Sequence, residues 1–366
     1  VTDAEDRQPS PPDDQGPSLG RSRAKDWAIN IGLMLGAIAA YLLVAELVLR
    51  AGEGDDPSAH EDTSGPYAGI YGPSSDPLLE YVLKPGVGVV NSKGYIGPVV
   101  DPGKPADVLR VVGLGDSITM YQTAEGTNYL TLLGKELKPS KAARVEVLNF
   151  AVGGYDTAQE VRVLQTRGLA YAPDVVVMGY CLNDAFNEMF LFNEVTGKIT
   201  LGDRDRKEVA EVQRMTSDGE QRGLRIVDFF SRKVKTASAS LTPDEFYATV
   251  FESPDWKEGM QALRRLGELS RQKGFDAVVV LFPFLLDFES YLFGPLHKRI
   301  TEEASKAGLG VIDLFESYRA LGTRAVRVTN EDGSLHVDYV HPTPKGHRVA
   351  ADKLINWFVE AGHASR

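Results

Sequence analysis

A chain of 366 residues, 43% of them hydrophobic, is long enough to bury a sizeable core in one large domain or two. Its formal net charge of -11 argues against a nucleic-acid partner, which needs a basic footprint. The one cysteine, Cys181, excludes an internal disulfide and a cysteine-built metal site, and the sequence contains no H-E-x-x-H, no P-loop and no internal repeat.

The chain opens on Val1 rather than Met, so its natural start is expected to be missing or unconventional. Residues 1 to about 20 are rich in Pro, Asp, Ser and Gly and nearly without apolar side chains, and the tail 1–26 is expected to be disordered. Trp27 to Leu49 follows, about 23 residues without Lys or Arg, long enough to cross a bilayer core of about 30 Å as a helix. Arg21, Arg23 and Lys25 precede it, whereas only Arg50 follows before Lys84. The positive-inside rule then puts the tail in the cytoplasm and the bulk of the chain outside, in the periplasm or beyond. A cleaved signal peptide fits less well: the apolar run is too long, a polar tail precedes it and no A-x-A site follows. A signal anchor in the cytoplasmic membrane is therefore expected over 27–49, with an acidic, flexible linker over 50–76. Residues 77–106, short apolar pieces punctuated by Gly and Pro, are expected to form an arm packed on the main domain.

From Asp107 onward, strand and helix patterns alternate. Strands are predicted at Val108 to Leu114, Val145 to Phe150, Asp174 to Tyr180, Asp276 to Phe282 and Gly310 to Phe315. Helices are predicted at Asn128 to Leu137, Thr157 to Leu169, Trp256 to Lys273 and Pro295 to Ala307. A last helix starts near Pro344 and puts Ala350, Leu354 and Phe358 on one face. Such alternation predicts a parallel sheet covered by helices on both faces, here over 107–366. One insertion, 185–254, of about 70 residues breaks the rhythm; at the ligand end of a sheet such a segment is expected to form a lid or wall.

The chemistry concentrates at strand ends. The run from Val108 to Thr119 is an apolar strand ending in Gly113 and Gly115, followed by Asp116, Ser117 and Thr119. Ile118 occupies the third glycine position of a dinucleotide fingerprint, and Thr119 replaces the last glycine of a G-x-S-x-G elbow, so neither motif is satisfied. A serine just past a parallel strand nevertheless sits where open α/β sheets hold their ligands, which makes Ser117 the candidate nucleophile. After the second strand come Asn149, Gly153 and Gly154; after the third, Asn183 and Asp184; near the C-terminus, Asp338 and His341. These residue types suit acyl transfer. A serine hydroxyl needs a base, for which His341 is the candidate, and the imidazole needs a carboxylate to hold its tautomer, for which Asp338 is the candidate. Candidate oxyanion donors are the Ser117 N–H, the Gly154 N–H and the Asn183 amide, each typically contributing about 3 kcal/mol to lowering the barrier.

The other histidines have ordinary readings. His336, with Asp332 four residues before it, is the rival base; His347 is a capping or packing residue; His297 is expected on a surface helix; His60 and His363 lie in linker and tail. Asp116 and Asp184 are expected to fix loops, and Cys181 to be a small buried thiol.

Gly115 to Thr119, Asn149 with Gly154, Asn183-Asp184 and Asp338-x-x-His341 together resemble the four sequence blocks of the SGNH (GDSL-type) hydrolase family, over residues 108 to about 361. In the third block Cys181 stands where the family commonly has glycine. The resemblance implies a three-layer α/β/α sandwich, flavodoxin-like, with about five parallel strands and no metal or organic cofactor. It implies Ser117 as nucleophile, His341 and Asp338 as base and orienter, and Ser117, Gly154 and Asn183 as the oxyanion hole. The expected function is a membrane-anchored serine esterase acting on an acylated envelope glycan, lipid or small molecule. The alternatives are an O-acyltransferase using the same acyl-enzyme, or a non-catalytic glycan-binding scaffold.

Overall fold

Every residue of Val108–Gly115 (β1) and of Val175–Cys181 (β3) is buried. Strands like these must lie inside a sheet covered on both faces. In the computed structural model, Arg144–Asn149 (β2), Asp276–Phe282 (β4) and Gly310–Asp313 (β5) complete a five-stranded sheet in the order β2-β1-β3-β4-β5, every pair parallel. This is the flavodoxin-like order, and its direction reverses at β1. The structure describes residues 67–122, 127–185, 190–193, 198–201, 240–241, 243–330, 332–336 and 338–365, all within one compact unit formed by 60–220 and 234–366.

The five main helices are Tyr129–Glu136 (α1), Thr157–Thr166 (α2), Pro254–Lys273 (α3), Gly294–Lys306 (α4) and Pro344–Glu360 (α5). Right-handed crossovers put α1 on one face of the sheet and α2, α3 and α4 on the other. Helix α5 packs against α1, and α3 packs against α2 and α4, which completes three layers. Helix starts are written locally: Asn128 caps α1, Asp156 forms a capping box with Gln159 on α2, and Ser253 and Thr343 cap α3 and α5 just before a proline. Ala350, Leu354 and Phe358 of α5 are fully buried.

One charge lies within β1. The Arg110 guanidinium is paired with Glu146 at 2.7 Å and donates to the carbonyls of Pro102 and Tyr171, so its burial leaves no donor group unsupported. Within the insertion, Phe190–Asn193, Lys198–Leu201 and Ser240–Leu241 form a small antiparallel sheet. The helix Pro243–Glu252 follows, and its buried Phe246 packs edge-on to Phe293 at 6.1 Å.

Residues 67–76, expected as the end of a flexible linker, are ordered instead. Tyr71–Pro73 pairs antiparallel with Tyr81–Leu83, and Ile70, Leu79 and Leu83 enter the core. The Gly and Pro content of this stretch sets its turns, but its few large apolar side chains decide its fate by finding burial far away in sequence. Farther along, Ile96 bridges to Asn149 through two backbone hydrogen bonds beside the β2 edge. The segment 27–49, expected to span a membrane, lies outside the described residues, as do 1–26. Among the described residues no helix is long and apolar enough to cross a membrane.

Candidate active site

Ser117 opens a single helical turn, Ser117–Met120, directly after β1. The turn is tight at Gly115, whose φ of +147° disfavours any side chain and where a Cβ would meet Thr119 Oγ1 at 2.2 Å. Asp116 caps the turn by accepting from the Ile118 N–H at 2.9 Å. The carbonyl of Thr119 is gripped by two amides, Asn149 Nδ2 at 2.7 Å and Asn128 Nδ2 at 2.8 Å. The half-buried serine thus stands on a backbone fixed from three directions.

The segment before α5 brings in its partners. Asp338 Oδ1 accepts from the backbone N–H groups of Val340 and His341, at 2.9 and 3.1 Å, folding the loop back on itself. Asp338 Oδ2 lies 2.7 Å from His341 Nδ1, and His341 Nε2 lies 2.8 Å from Ser117 Oγ. With Nδ1–H donating to the carboxylate, Nε2 is left as the acceptor for the serine hydroxyl. Burial pushes the Asp338 carboxyl up, but the hydrogen bond and charge of His341, with the two backbone donors, outweigh it and hold the pKa at about 2. A hydroxyl beside an imidazole beside a carboxylate is an arrangement that can move a proton off oxygen.

Residues 114–349 match the model of the GDSL-like Lipase/Acylhydrolase family. The chain belongs to this family. It is accordingly an ester-hydrolysing enzyme. Among solved structures, the chain is similar to an acetylxylan esterase from Geobacillus stearothermophilus: 15% identity and a TM-score of 0.41, over 70% of this chain and 97% of that one. An α/β hydrolase enzyme from the metagenome of Lake Arreo, Spain, gives 15% identity and a TM-score of 0.40, over 68% and 93% of the two chains. No curated protein matches the chain.

In this acylhydrolase, Gly154 and Asn183 sit on the strand ends flanking Ser117. The loop after β2 runs alongside β1, with Val152 N–H donating to the Gly115 carbonyl at 3.0 Å, and Gly154 follows with φ +79°. Asn183 lies in the 3-10 turn Leu182–Ala185 after β3. Cys181, where the family pattern has glycine, is the last residue of β3 and pairs in register with Phe282, so the position asks for no left-handed backbone. Its thiol is buried, and burial pushes its pKa well up, which makes it inert.

Beneath the site the hydrolase holds three buried acids. The Asp116 carboxyl is pushed up by burial and drawn back by the charge of His341, the Ile118 N–H and the Asn183 amide. Asp184 accepts from Thr157 Oγ1 at 3.4 Å. Glu160, in the first turn of α2, has both carboxyl oxygens buried without a hydrogen-bond partner.

The other histidines separate clearly. The exposed His336 accepts the Asp338 N–H on Nδ1 at 3.1 Å, and Asp332 bonds Ser334 instead of it. His347 is buried with its ring parallel to that of Tyr129, centroids 6.3 Å apart. His297, expected on a surface helix, is instead buried, with Nδ1 at 2.9 Å from Asp313 and Nε2 at 3.0 Å from Tyr291. The polar residues around it on α4 hide a histidine that faces the sheet. His363 binds Asp276 at 2.7 Å, and His60 lies outside the described residues. Among the described residues, no group of three or more His, Cys, Asp or Glu is arranged to hold a metal ion.

Sequence reasoning did not find Asn128 as a support of the serine turn, nor Tyr121, whose ring centroid lies 6.3 Å from that of His341. Asn128 carries a local signal as a helix cap; Tyr121 carries none.

Proposed function

We propose that this acylhydrolase is a serine esterase working through an acyl-enzyme, with Ser117 as nucleophile, His341 as general base and Asp338 as its orienter. The continuous hydrogen-bonded chain from Ser117 Oγ through the imidazole to Asp338 Oδ2 carries the reading. His341 Nε2 takes the hydroxyl proton as Oγ attacks the ester carbonyl. The N–H groups of Ser117 and Gly154 and the Asn183 amide receive the oxyanion. On collapse His341 returns the proton to the leaving alcohol, and a water activated the same way hydrolyses the acyl-enzyme.

The substrate is an acylated glycan, lipid or small molecule of the cell envelope. Support comes from the apolar run Trp27 to Leu49 with its preceding basic residues, which fits a single-pass anchor with the catalytic part outside. Transfer of the acyl group to a sugar hydroxyl instead of water uses the same intermediate. Family membership sets aside the reading as a non-catalytic scaffold.

The test is labelling with a fluorophosphonate and turnover of a short-chain nitrophenyl ester. Both are expected, and both are expected to vanish in Ser117→Ala; labelling that survives this change would remove Ser117 as nucleophile. A reporter fused after Arg366 should be active only outside the membrane, and cytoplasmic activity would reverse the topology.

A further inference from the structure

The ordered arm before β1 reaches into the loop that carries Gly154. The Tyr81 hydroxyl, buried, donates to the carbonyl of Gly153 at 2.8 Å. The Gly153 carbonyl and the Gly154 N–H belong to one peptide unit. In a planar trans peptide these two groups point in opposite directions. Fixing the carbonyl toward the arm therefore fixes the Gly154 N–H on the other side of the loop.

Four further contacts make this a rigid clamp. The Gly153 N–H is held by Met120 Sδ at 3.0 Å, and Met120 belongs to the same helical turn as Ser117. The Tyr81 carbonyl accepts from the Tyr155 hydroxyl, so the loop grips the arm in return. The Tyr81 ring is packed edge-on to Tyr71 at 5.4 Å and tilted against Tyr155 at 5.2 Å. The glycines are needed for this approach: a Cβ on Gly154 would lie 2.7 Å from the Tyr81 hydroxyl, and one on Gly153 would lie 2.7 Å from that of Tyr71.

We propose that Tyr81 is a positioning residue of the oxyanion hole: its hydroxyl orients the Gly153–Gly154 peptide so that the Gly154 N–H is preset for the negative charge before substrate arrives. This rests on the reading of Gly154 as an oxyanion donor. Donors aimed in advance stabilise the tetrahedral state more than the ground state, because no reorganisation is needed at the moment of reaction. Tyr81 touches no reacting atom. Its effect passes entirely through one peptide plane, and it makes the arm part of the catalytic unit.

The experiment compares full-length wild type with Tyr81→Phe and Tyr95→Phe. It measures kcat and KM for a nitrophenyl ester, the affinity for a boronic acid that mimics the tetrahedral state, and the melting temperature. Tyr81→Phe keeps the ring and is expected to lower kcat about tenfold and weaken boronate binding by the same factor, with KM nearly unchanged. Tyr95→Phe removes a buried hydroxyl of the same arm that donates to the Pro98 carbonyl instead of the Gly153 carbonyl, and is expected to keep wild-type boronate affinity. Unchanged kcat and boronate affinity in Tyr81→Phe would overturn the proposal, as would equal losses in both variants that track a lowered melting temperature. If wild type shows no Ser117-dependent turnover, the reading of the site itself fails, and the proposal fails with it.

Discussion

His341 Nε2 and Ser117 Oγ meet at 2.8 Å although 224 residues separate them in the chain. Neither side chain is placed by its own neighbours alone. Ser117 depends on Asn128 and Asn149 gripping the turn behind it. The segment after His341 depends on Thr343, whose N–H and hydroxyl donate to the carbonyls of Val326 and Ala325. Asp338 adds the last constraint, holding the ring by Nδ1 and the loop by two backbone N–H groups.

Asp338→Asn is expected to cut kcat by roughly 10³ to 10⁴ while leaving the fold intact. The amide keeps the shape of the carboxyl, but an NH₂ facing Nδ1 forces the imidazole proton onto Nε2, where it blocks acceptance from Ser117. With its pKa held at about 2, Asp338 is charged throughout the working range. Wild type should therefore show no loss of rate attributable to this group above about pH 4, whereas the variant is slow at every pH. A pH–rate profile of both proteins checks this, and near-normal kcat in the variant would remove Asp338 as orienter.

Asn183→Ala is expected to lower kcat about 100-fold with little change in KM, the signature of a donor used chiefly in the transition state. The side chain is only partly buried and lies in a short 3-10 turn, so melting should stay near that of wild type. Steady-state kinetics alongside a thermal melt decides it. A loss confined to KM would make Asn183 a ground-state binding residue.

The sheet is legible because its central strands are apolar on both faces: Asp276–Phe282 is found residue for residue, and Val108–Gly115 and Val175–Cys181 to within a residue or so at each end. Asp338 and His341 are legible together because their contact is local, three residues apart. Long-range contacts leave no such trace. Tyr71 meets Tyr121 at 3.1 Å and Tyr81 meets Gly153 at 2.8 Å across about 50 and 72 residues, and nothing in either partner's neighbourhood announces it. His297 escaped for the opposite reason: a polar local pattern concealed a buried side chain paired with Asp313.

Glu160→Gln is expected to stabilise the protein at neutral and alkaline pH by about 1–3 kcal/mol and to change little near pH 4. Burial is the main reason the Glu160 carboxyl is held well above its ordinary range, with the charges of Asp184, Asp116 and Asp156 adding to it. A carboxyl whose folded pKa is raised binds its proton more tightly when folded. Its contribution is therefore complete below the ordinary value of 4.5 and is lost as pH rises toward the folded value. Glutamine preserves the shape and cannot ionise. Melting temperatures of both proteins across pH 4 to 8 should converge at the acid end and diverge at the other, and parallel curves would refute the assignment.

His347 should produce the opposite slope. Burial, with the charge of His341 as a second cause, lowers its pKa from 6.5 to about 4, so the folded protein carries the ring neutral against Tyr129. A base whose folded pKa is depressed binds fewer protons when folded. Its stabilising effect is complete above pH 6.5 and drains away as pH falls to about 4, amounting to roughly 3 kcal/mol in all. His347→Phe keeps an aromatic ring stacked on Tyr129 and has nothing to protonate. Urea unfolding at pH 7 and pH 4.5 is expected to show a smaller acid loss in the variant than in wild type. The comparison is best made in an Asp338→Asn background as well, because the Asp338 carboxylate stabilises a charged His341 and so influences the charge His347 faces. Equal acid losses in wild type and His347→Phe would mean that His347 takes up its proton in the folded protein without strain, and that the acid sensitivity lies elsewhere.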